Sequence, residues 1–126
     1  MNEQIEKDIK AAGADRAPRV TPADIEAEIA SEHYFTAADG QRGAGGTDVS
    51  GLRDPLELLT FCVLVLRNGF TVTGESACAS PANFNAQIGQ RAARDAAINK
   101  AWQLLGFRLR DKLHAIETAI PPDSTD

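Results

Sequence analysis

The stretch from Leu58 to Cys78 constrains the fold most, because it contains two apolar, β-branched runs on either side of Asn68-Gly69. Asn-Gly is the strongest short hairpin signal, since a type I′ turn requires positive φ at both of its central residues. An isolated hairpin is only marginally stable in water. We therefore expect other parts of the chain, or a second copy of it, to cover this hairpin.

A two-residue turn at Asn68-Gly69 also predicts which side chains of the two strands share a face. The pairs expected on the buried face are Arg67 with Phe70, Val65 with Val72, Val63 with Gly74, and Phe61 with Ser76. The opposite face then carries apolar residues on the first strand but polar residues on the second: Cys62, Leu64 and Leu66, against Thr71, Thr73 and Glu75. The first strand is therefore apolar on both sides, which predicts a homo-oligomer, with a dimer favoured.

The length of 126 residues and the hydrophobic fraction of 43% are those of one globular domain. We expect a flexible N-terminal segment at 1–18, a single α+β domain at 19–117 and a C-terminal tail at 118–126. No signal peptide is recognisable, and the apolar run 56–66 is too short to span a bilayer. The two cysteines, Cys62 and Cys78, are not opposite each other in the predicted hairpin, which favours reduced thiols in a cytoplasmic protein.

Helices are predicted on both sides of the hairpin. Thr21 is a good N-cap with Pro22 at the first helical position, which predicts a helix over 22–33. After the hairpin, Ser80 and Pro81 suggest a second start, followed by helices at about 82–104 and 106–117 with Gly106 as the expected break. One continuous helix to about 117 is the alternative. The predicted fold is α+β: a short antiparallel sheet built on the hairpin packs one face against the C-terminal helices, and the N-terminal helix lies elsewhere on the sheet.

No catalytic or metal-binding pattern is present. Glu75-Ser76 lies in a sequence similar to a nucleophile elbow, but Cys78 stands where that motif requires glycine. His33 and His114 belong to different elements without ligands at zinc spacing. The glycine-rich stretch 39–51 lacks the spacing of a phosphate-binding loop and is interpreted as a surface loop. We expect neither an enzyme nor a cofactor.

The charge distribution leaves room for a small anionic ligand. A net charge of −5 argues against a protein that grips nucleic-acid phosphates. However, the second strand leads into a predicted helix N-terminus at Ser80, where backbone N–H groups favour an anion, and Arg91 and Arg94 follow. The candidate ligand-binding residues are Ser80, Arg91, Arg94, Glu75 and Ser76. In the alternative reading Ser80 only caps the helix, and Glu75, which would repel an anion, is a solvated edge residue.

The chain resembles the gene-product-49-like family of phage and prophage proteins over roughly 19–113. The resemblance is carried mainly by the run NGFTVTGESAC from Asn68 to Cys78, by Asn83-Phe84 and by Trp102. Many members of that family have Pro-Leu-Glu-Gly after the tryptophan, whereas this chain has Gln-Leu-Leu-Gly at 103–106. The departure removes a proline that would break the helix.

The resemblance implies an accessory protein made in the host cytoplasm and dispensable for virion assembly, without an activity that can be transferred. Its layout, a β-ribbon followed by helices, is also similar to that of small phage proteins that sequester nucleotide immune signals. We therefore expect counter-defence by binding and sequestering a small, phosphate-bearing nucleotide signal of the host. The alternative is a protein-binding inhibitor of a host defence or regulatory factor, and a virion component is the third reading.

Overall fold

The computed structural model describes residues 3–13, 17–46 and 54–119, which form four helices and one three-stranded antiparallel sheet. The elements in chain order are α1 (Glu3–Ala11), α2 (Pro22–Glu28), β1 (Ile29–Thr36), α3 (Ala37–Gly43), β2 (Leu59–Leu66), β3 (Thr71–Ala77) and α4 (Ala86–Ala119). Short 3₁₀ turns precede β2 and follow β3. The strand order is β1-β2-β3, and the predicted α+β class and hairpin are confirmed.

Helix α2 begins as predicted but ends earlier. The Thr21 hydroxyl accepts a hydrogen bond from Asp24 N–H, and the Asp24 carboxylate accepts one from Thr21 N–H, which completes a capping box. Residues 29–33, predicted to be helical, instead belong to β1, so the predicted helix end is wrong. Pairing with β2 supplies the reason, because a strand that completes a sheet ladder outweighs a short run of helical periodicity.

The hairpin turn differs from the prediction by one residue, and the difference changes the register of the sheet. Leu66 N–H donates to Phe70 C=O at 2.8 Å, so three residues, not two, form the loop. Gly69 has a φ of 90°, whereas no non-glycine residue in the described ranges has positive φ. A type I turn followed by a left-handed glycine fits this geometry, and the predicted type I′ turn does not.

The one-residue difference exchanges the faces of β2. Val63 pairs with Thr73 and Leu64 with Val72, so Val63 is not on the buried face as predicted, whereas Val72 is. The buried face of the hairpin carries Thr60, Cys62, Leu64, Leu66, Val72 and Gly74. The outer face of β2 carries Phe61, Val63 and Val65, all of them partly exposed.

Helix α4 is continuous over 34 residues, about 51 Å long, and passes through Gly106 without a break. The expected break at Gly106 is therefore absent and the alternative of one continuous helix is confirmed, whereas the predicted start near residue 82 is wrong. Ser80 makes no side-chain capping bond and precedes a 3₁₀ turn at Pro81–Asn83. The helix begins at Ala86, where the Asn85 side-chain oxygen accepts from Ile88 N–H at 3.0 Å.

The core is built where α4 lies on the hairpin. Ala93, Ala97 and Ala101 recur every four residues on one side of the helix and are completely or almost completely buried. This narrow side lies on Gly74, where an added Cβ would be 2.1 Å from the Ala93 carbonyl oxygen. These alanines therefore meet a strand of the same chain. Glycine and alanine bring the helix backbone onto the sheet, and Ile98 and Leu105 complete the packing.

The glycine-rich stretch predicted as a surface loop begins inside α3, which has a capping box between Thr36 and Asp39. The part of this stretch at 47–51 lies outside the described residues, as does the predicted tail beyond Ala119. In the N-terminal segment, α1 is held to the domain by an ion pair between Glu6 and Arg19 at 2.8 Å.

Candidate functional site

The structure separates the five residues predicted to bind a ligand. Ser76 lines a cavity of about 170 Å³ beside the start of α4, which we call the junction cavity. Ser80 lies next to this cavity, and its carbonyl oxygen accepts a hydrogen bond from the Cys78 thiol at 3.2 Å. Glu75 is exposed on the outer face of β3, and Arg91 is exposed on α4. Arg94 lines a different cavity, so the predicted cluster does not form one pocket.

Arg94 is engaged by two carboxylates. Its guanidinium pairs with Glu26 at 2.7 Å and with Glu32 at 2.8 Å, while the Tyr34 hydroxyl donates to Glu32 at 2.7 Å. The hydrogen bonds from Arg94 and Tyr34 hold the pKa of Glu32 below its usual value. Burial, and then the bond to Glu32, raise the pKa of Tyr34. Arg94 therefore joins α2, β1 and α4, and this network occupies the charge that an anion would need.

The junction cavity has polar walls but no cation among its described lining residues. Thr60 on its wall is 3% exposed, and the Thr60 hydroxyl has no hydrogen-bond partner in the described part of the chain. A Cβ at Gly89 would lie 3.0 Å from that hydroxyl, so the oxygen lies against the helix backbone. The cavity thus offers the N-terminus of α4 and neutral groups, without the fixed positive charge that phosphate recognition uses.

A larger concave surface lies between α2 and the C-terminal half of α4, and we call it the α2–α4 groove. Its volume is about 280 Å³. Its walls are apolar at Val20, Ala27, Leu105 and Leu109, and charged at Arg19, Asp24, Glu28, Arg108 and Lys112. An apolar surface beside several cations suits a ligand with one hydrophobic and one anionic part.

The carboxylates of the groove already accept hydrogen bonds from within the chain. Glu28 receives a bidentate pair from Arg108 at 2.9 and 3.2 Å, and the hydrogen bond from Arg108 is the main reason that the pKa of Glu28 is lowered. Asp24 accepts from Thr21 N–H at 2.9 Å in the capping box. Lys112 makes no ion pair with any residue that the structure describes. The Lys112 ammonium is thus the cation of this groove most available to a ligand.

The residues predicted from the sequence lie towards the N-terminal end of α4, whereas the α2–α4 groove lies against its C-terminal half. Arg108 and Lys112 are four residues apart, as are Leu105 and Leu109, so both pairs lie on one side of α4. Two apolar and two cationic residues with the same four-residue spacing are the sequence pattern from which this side of the groove could have been predicted. What the sequence did not reveal is that α2 forms the opposite wall.

Nowhere in the described ranges do three or more His, Cys, Asp or Glu side chains gather in a way that could hold a metal ion. None of the described helices combines the length and the apolar character needed to cross a membrane.

Comparison with known proteins identifies the family of this chain. The family model described as the phage protein (N4 Gp49/phage Sf6 gene 66) family matches residues 20–113, which is most of the chain and includes the hairpin and every groove residue except Arg19. No curated protein and no solved structure matches the sequence.

Proposed function

Because this chain belongs to the phage protein family of N4 Gp49 and phage Sf6 gene 66, and is a phage accessory protein, we propose that it acts by binding and not by catalysis. The proposed ligand is a small phosphate-bearing signal of the host, with a nucleotide as its chemical class. Sequestering such a signal in the host cytoplasm would serve counter-defence. The observation that carries the proposal is Lys112, which makes no ion pair with any described residue, beside the apolar wall of the α2–α4 groove.

The apolar and the cationic residues of the groove would contact different parts of a nucleotide. A nucleobase would lie against Leu105 and Leu109, while Lys112 and the edge of Arg108 would face the phosphate. Charge-assisted hydrogen bonds to phosphate are among the stronger polar contacts in proteins. Micromolar binding requires only about 8 kcal/mol, which a few such bonds and one buried ring can supply.

The size of the groove favours a ligand that stays partly exposed in one copy of the chain. Pockets for drug-sized ligands usually measure about 300–1,000 Å³, and this groove measures about 280 Å³. The proposal includes a homodimer, because β2 carries apolar side chains on both of its faces.

The experiment is a thermal-shift screen with cyclic and linear nucleotides, followed by one matched pair of variants. We expect a nucleotide to raise Tm, and we expect the increase to shrink as salt is added, because screening weakens the phosphate contacts. Lys112→Glu should abolish the increase. Lys100→Glu makes the same charge change at an exposed position of α4 outside the groove, and it should keep the increase.

Three results would overturn the nucleotide proposal. The first is that no nucleotide at 100 μM shifts the melting curve. The second is that Lys112→Glu binds as well as the wild type. The third is that Arg91→Ala, which leaves the groove intact, removes binding, since that result would return the site to the residues predicted from the sequence.

A second candidate is a protein-binding inhibitor of a host factor, and a specific observation favours it. Leu104 and Phe107 are three residues apart on α4, and they are 37% and 71% exposed. Large exposed apolar side chains on one side of a helix are common at protein–protein contacts. If this surface binds a host protein, Phe107→Glu will abolish the complex while Lys112→Glu leaves it intact.

A further inference from the structure

The junction cavity is closed on one side and open on the other. Of its described lining residues only Thr60 is buried, so this residue forms the floor. Ile88 is 63% exposed although it is a large apolar residue, and it marks the mouth. A cavity of about 170 Å³ therefore leads from the solvent to the Thr60 side chain.

A hydroxyl is out of place at this floor. Cys62, Leu64 and Leu66 follow Thr60 on the same face of β2, and all three are buried hydrophobic residues. The Thr60 hydroxyl has no hydrogen-bond partner in the described part of the chain. A buried hydroxyl without a partner lowers stability, whereas valine has nearly the same shape without that cost. A ligand that bonds to the hydroxyl would account for the threonine.

Gly89 of α4 limits how much of the space beside that hydroxyl the chain itself fills. A Cβ at Gly89 would lie 3.0 Å from Thr60 Oγ1 and 4.0 Å from Phe84 Cε1. Gly89 does not have positive φ, so its backbone conformation does not require glycine. Glycine inside a helix is less favourable than alanine. Two residues that each lower stability thus meet at one wall of the cavity, which is typical of a place where a fold retains a binding site.

We propose that the junction cavity binds a small uncharged molecule made of one ring and an amide group. None of its described lining residues carries a charge, so nothing there compensates an anion or a cation. An amide carbonyl would accept from the Thr60 hydroxyl, and an amide N–H would donate to the Ser76 hydroxyl on the wall. The ring would lie against Phe84. The site is separate from the α2–α4 groove and does not depend on the nucleotide proposed there.

The size of the cavity sets the size of the ligand. A closed apolar cavity of about 150 Å³ holds one benzene molecule. The junction cavity, at about 170 Å³, is therefore large enough for one ring with a short substituent. A whole nucleotide exceeds this volume, so the two sites select different ligands.

Benzamide and benzoate provide a matched pair of probes, because they share one shape and differ in charge. We expect benzamide to shift amide signals of residues lining the junction cavity in ¹⁵N-labelled full-length protein, with a Kd of about 1 mM or tighter. Benzoate should bind at least tenfold more weakly. Thr60→Val should raise the Kd for benzamide at least tenfold without lowering Tm, whereas Thr60→Ser, which keeps the hydroxyl, should stay within threefold of the wild type.

Gly89→Ala tests the same wall from the helix, since its added methyl group presses on the Thr60 hydroxyl. It should also raise the Kd for benzamide at least tenfold. Gly106→Ala is the control on the same helix, because nothing lies within 4 Å of its added Cβ, and it should leave the Kd unchanged. Absence of any shift with benzamide at about 20 mM would overturn the proposal. Equal binding of benzoate, shifts confined to residues outside the cavity, or an unchanged Kd in Thr60→Val or Gly89→Ala would overturn it too.

Discussion

Replacing Gly74 with alanine is the most specific test of how the helix lies on the sheet. The added Cβ would be 2.1 Å from the Ala93 carbonyl oxygen and 2.3 Å from the Ala97 nitrogen. Both obstacles are backbone atoms of α4, so no side-chain rotation can relieve the contact. The helix must move away from β3 by at least about 1.3 Å before an ordinary contact of about 3.4 Å is restored.

The energetic cost follows from that displacement. A gap of about 0.5–1 Å forfeits a quarter to a half of the dispersion attraction between the atoms on either side. Ala97, Ala101 and Leu105 lie on the same side of α4 and belong to the core. Moving the helix therefore weakens their packing as well, over several helical turns. Overpacked cores lose about 1–3 kcal/mol, and the rigid backbone here places the expected loss near 3 kcal/mol. The lower entropy of alanine in the unfolded chain offsets less than about 1 kcal/mol.

Urea and thermal unfolding measure the effect. Gly74→Ala should lower the free energy of unfolding by about 3 kcal/mol and Tm by roughly 10 °C. Gly106→Ala is the matched control, because nothing lies within 4 Å of its added Cβ in the middle of α4. It should stabilise the protein by about 0.5–1 kcal/mol. If Gly74→Ala is as stable as the wild type, the helix does not lie on β3 as described.

The remaining predictions address the register, an unpartnered hydroxyl and acid stability. Val72→Asp should lower the free energy of unfolding by about 3 kcal/mol or more, because it buries a charge. Thr73→Asp lies on the opposite, exposed face of β3 and should change the stability of the monomer by less than about 0.5 kcal/mol. Equal losses for the two variants, measured by urea unfolding at low protein concentration, would refute the register. Thr60→Val should stabilise the fold by about 1 kcal/mol by removing a buried hydroxyl without a partner, and destabilisation would show that the hydroxyl has one. The pKa of Glu28 in the folded chain lies below its ordinary value of 4.5, so the pair with Arg108 stabilises the fold fully above pH 4.5. This stabilisation is lost as the pH falls through the pKa of Glu28 in the folded chain. Glu28→Gln should therefore make the free energy of unfolding, measured between pH 3 and 7, depend less on pH at the acid end.

The hairpin shows how far local sequence signals reach. Asn68-Gly69 located the turn correctly, because the glycine is needed at positive φ in either turn type. The same two residues fit a two-residue or a three-residue loop, and only the packing of the whole sheet decides between them. Burying Leu64 opposite Val72 under α4 is what selects the longer loop. A one-residue choice at the turn therefore required tertiary information.

The ends of the helices and the candidate site show a second limit. Thr21 and Pro22 fixed where α2 begins, but its end depends on β2, a strand 30 residues further along the chain. The charge of Arg94 was visible in the sequence, whereas its two carboxylate partners come from α2 and β1. A cation's availability to a ligand depends on such distant contacts. The sequence could therefore indicate a basic region but not which of its cations remain unpaired.

Titration calorimetry with the nucleotide found in the thermal screen tests the central claim most directly. Wild type and Lys100→Glu should bind the nucleotide with the same affinity, in the micromolar range or tighter. Lys112→Glu should show no measurable heat of binding, although without ligand it should have the same Tm as the wild type. Binding that is unchanged in Lys112→Glu, or equally weakened in both variants, would contradict a ligand site in the α2–α4 groove.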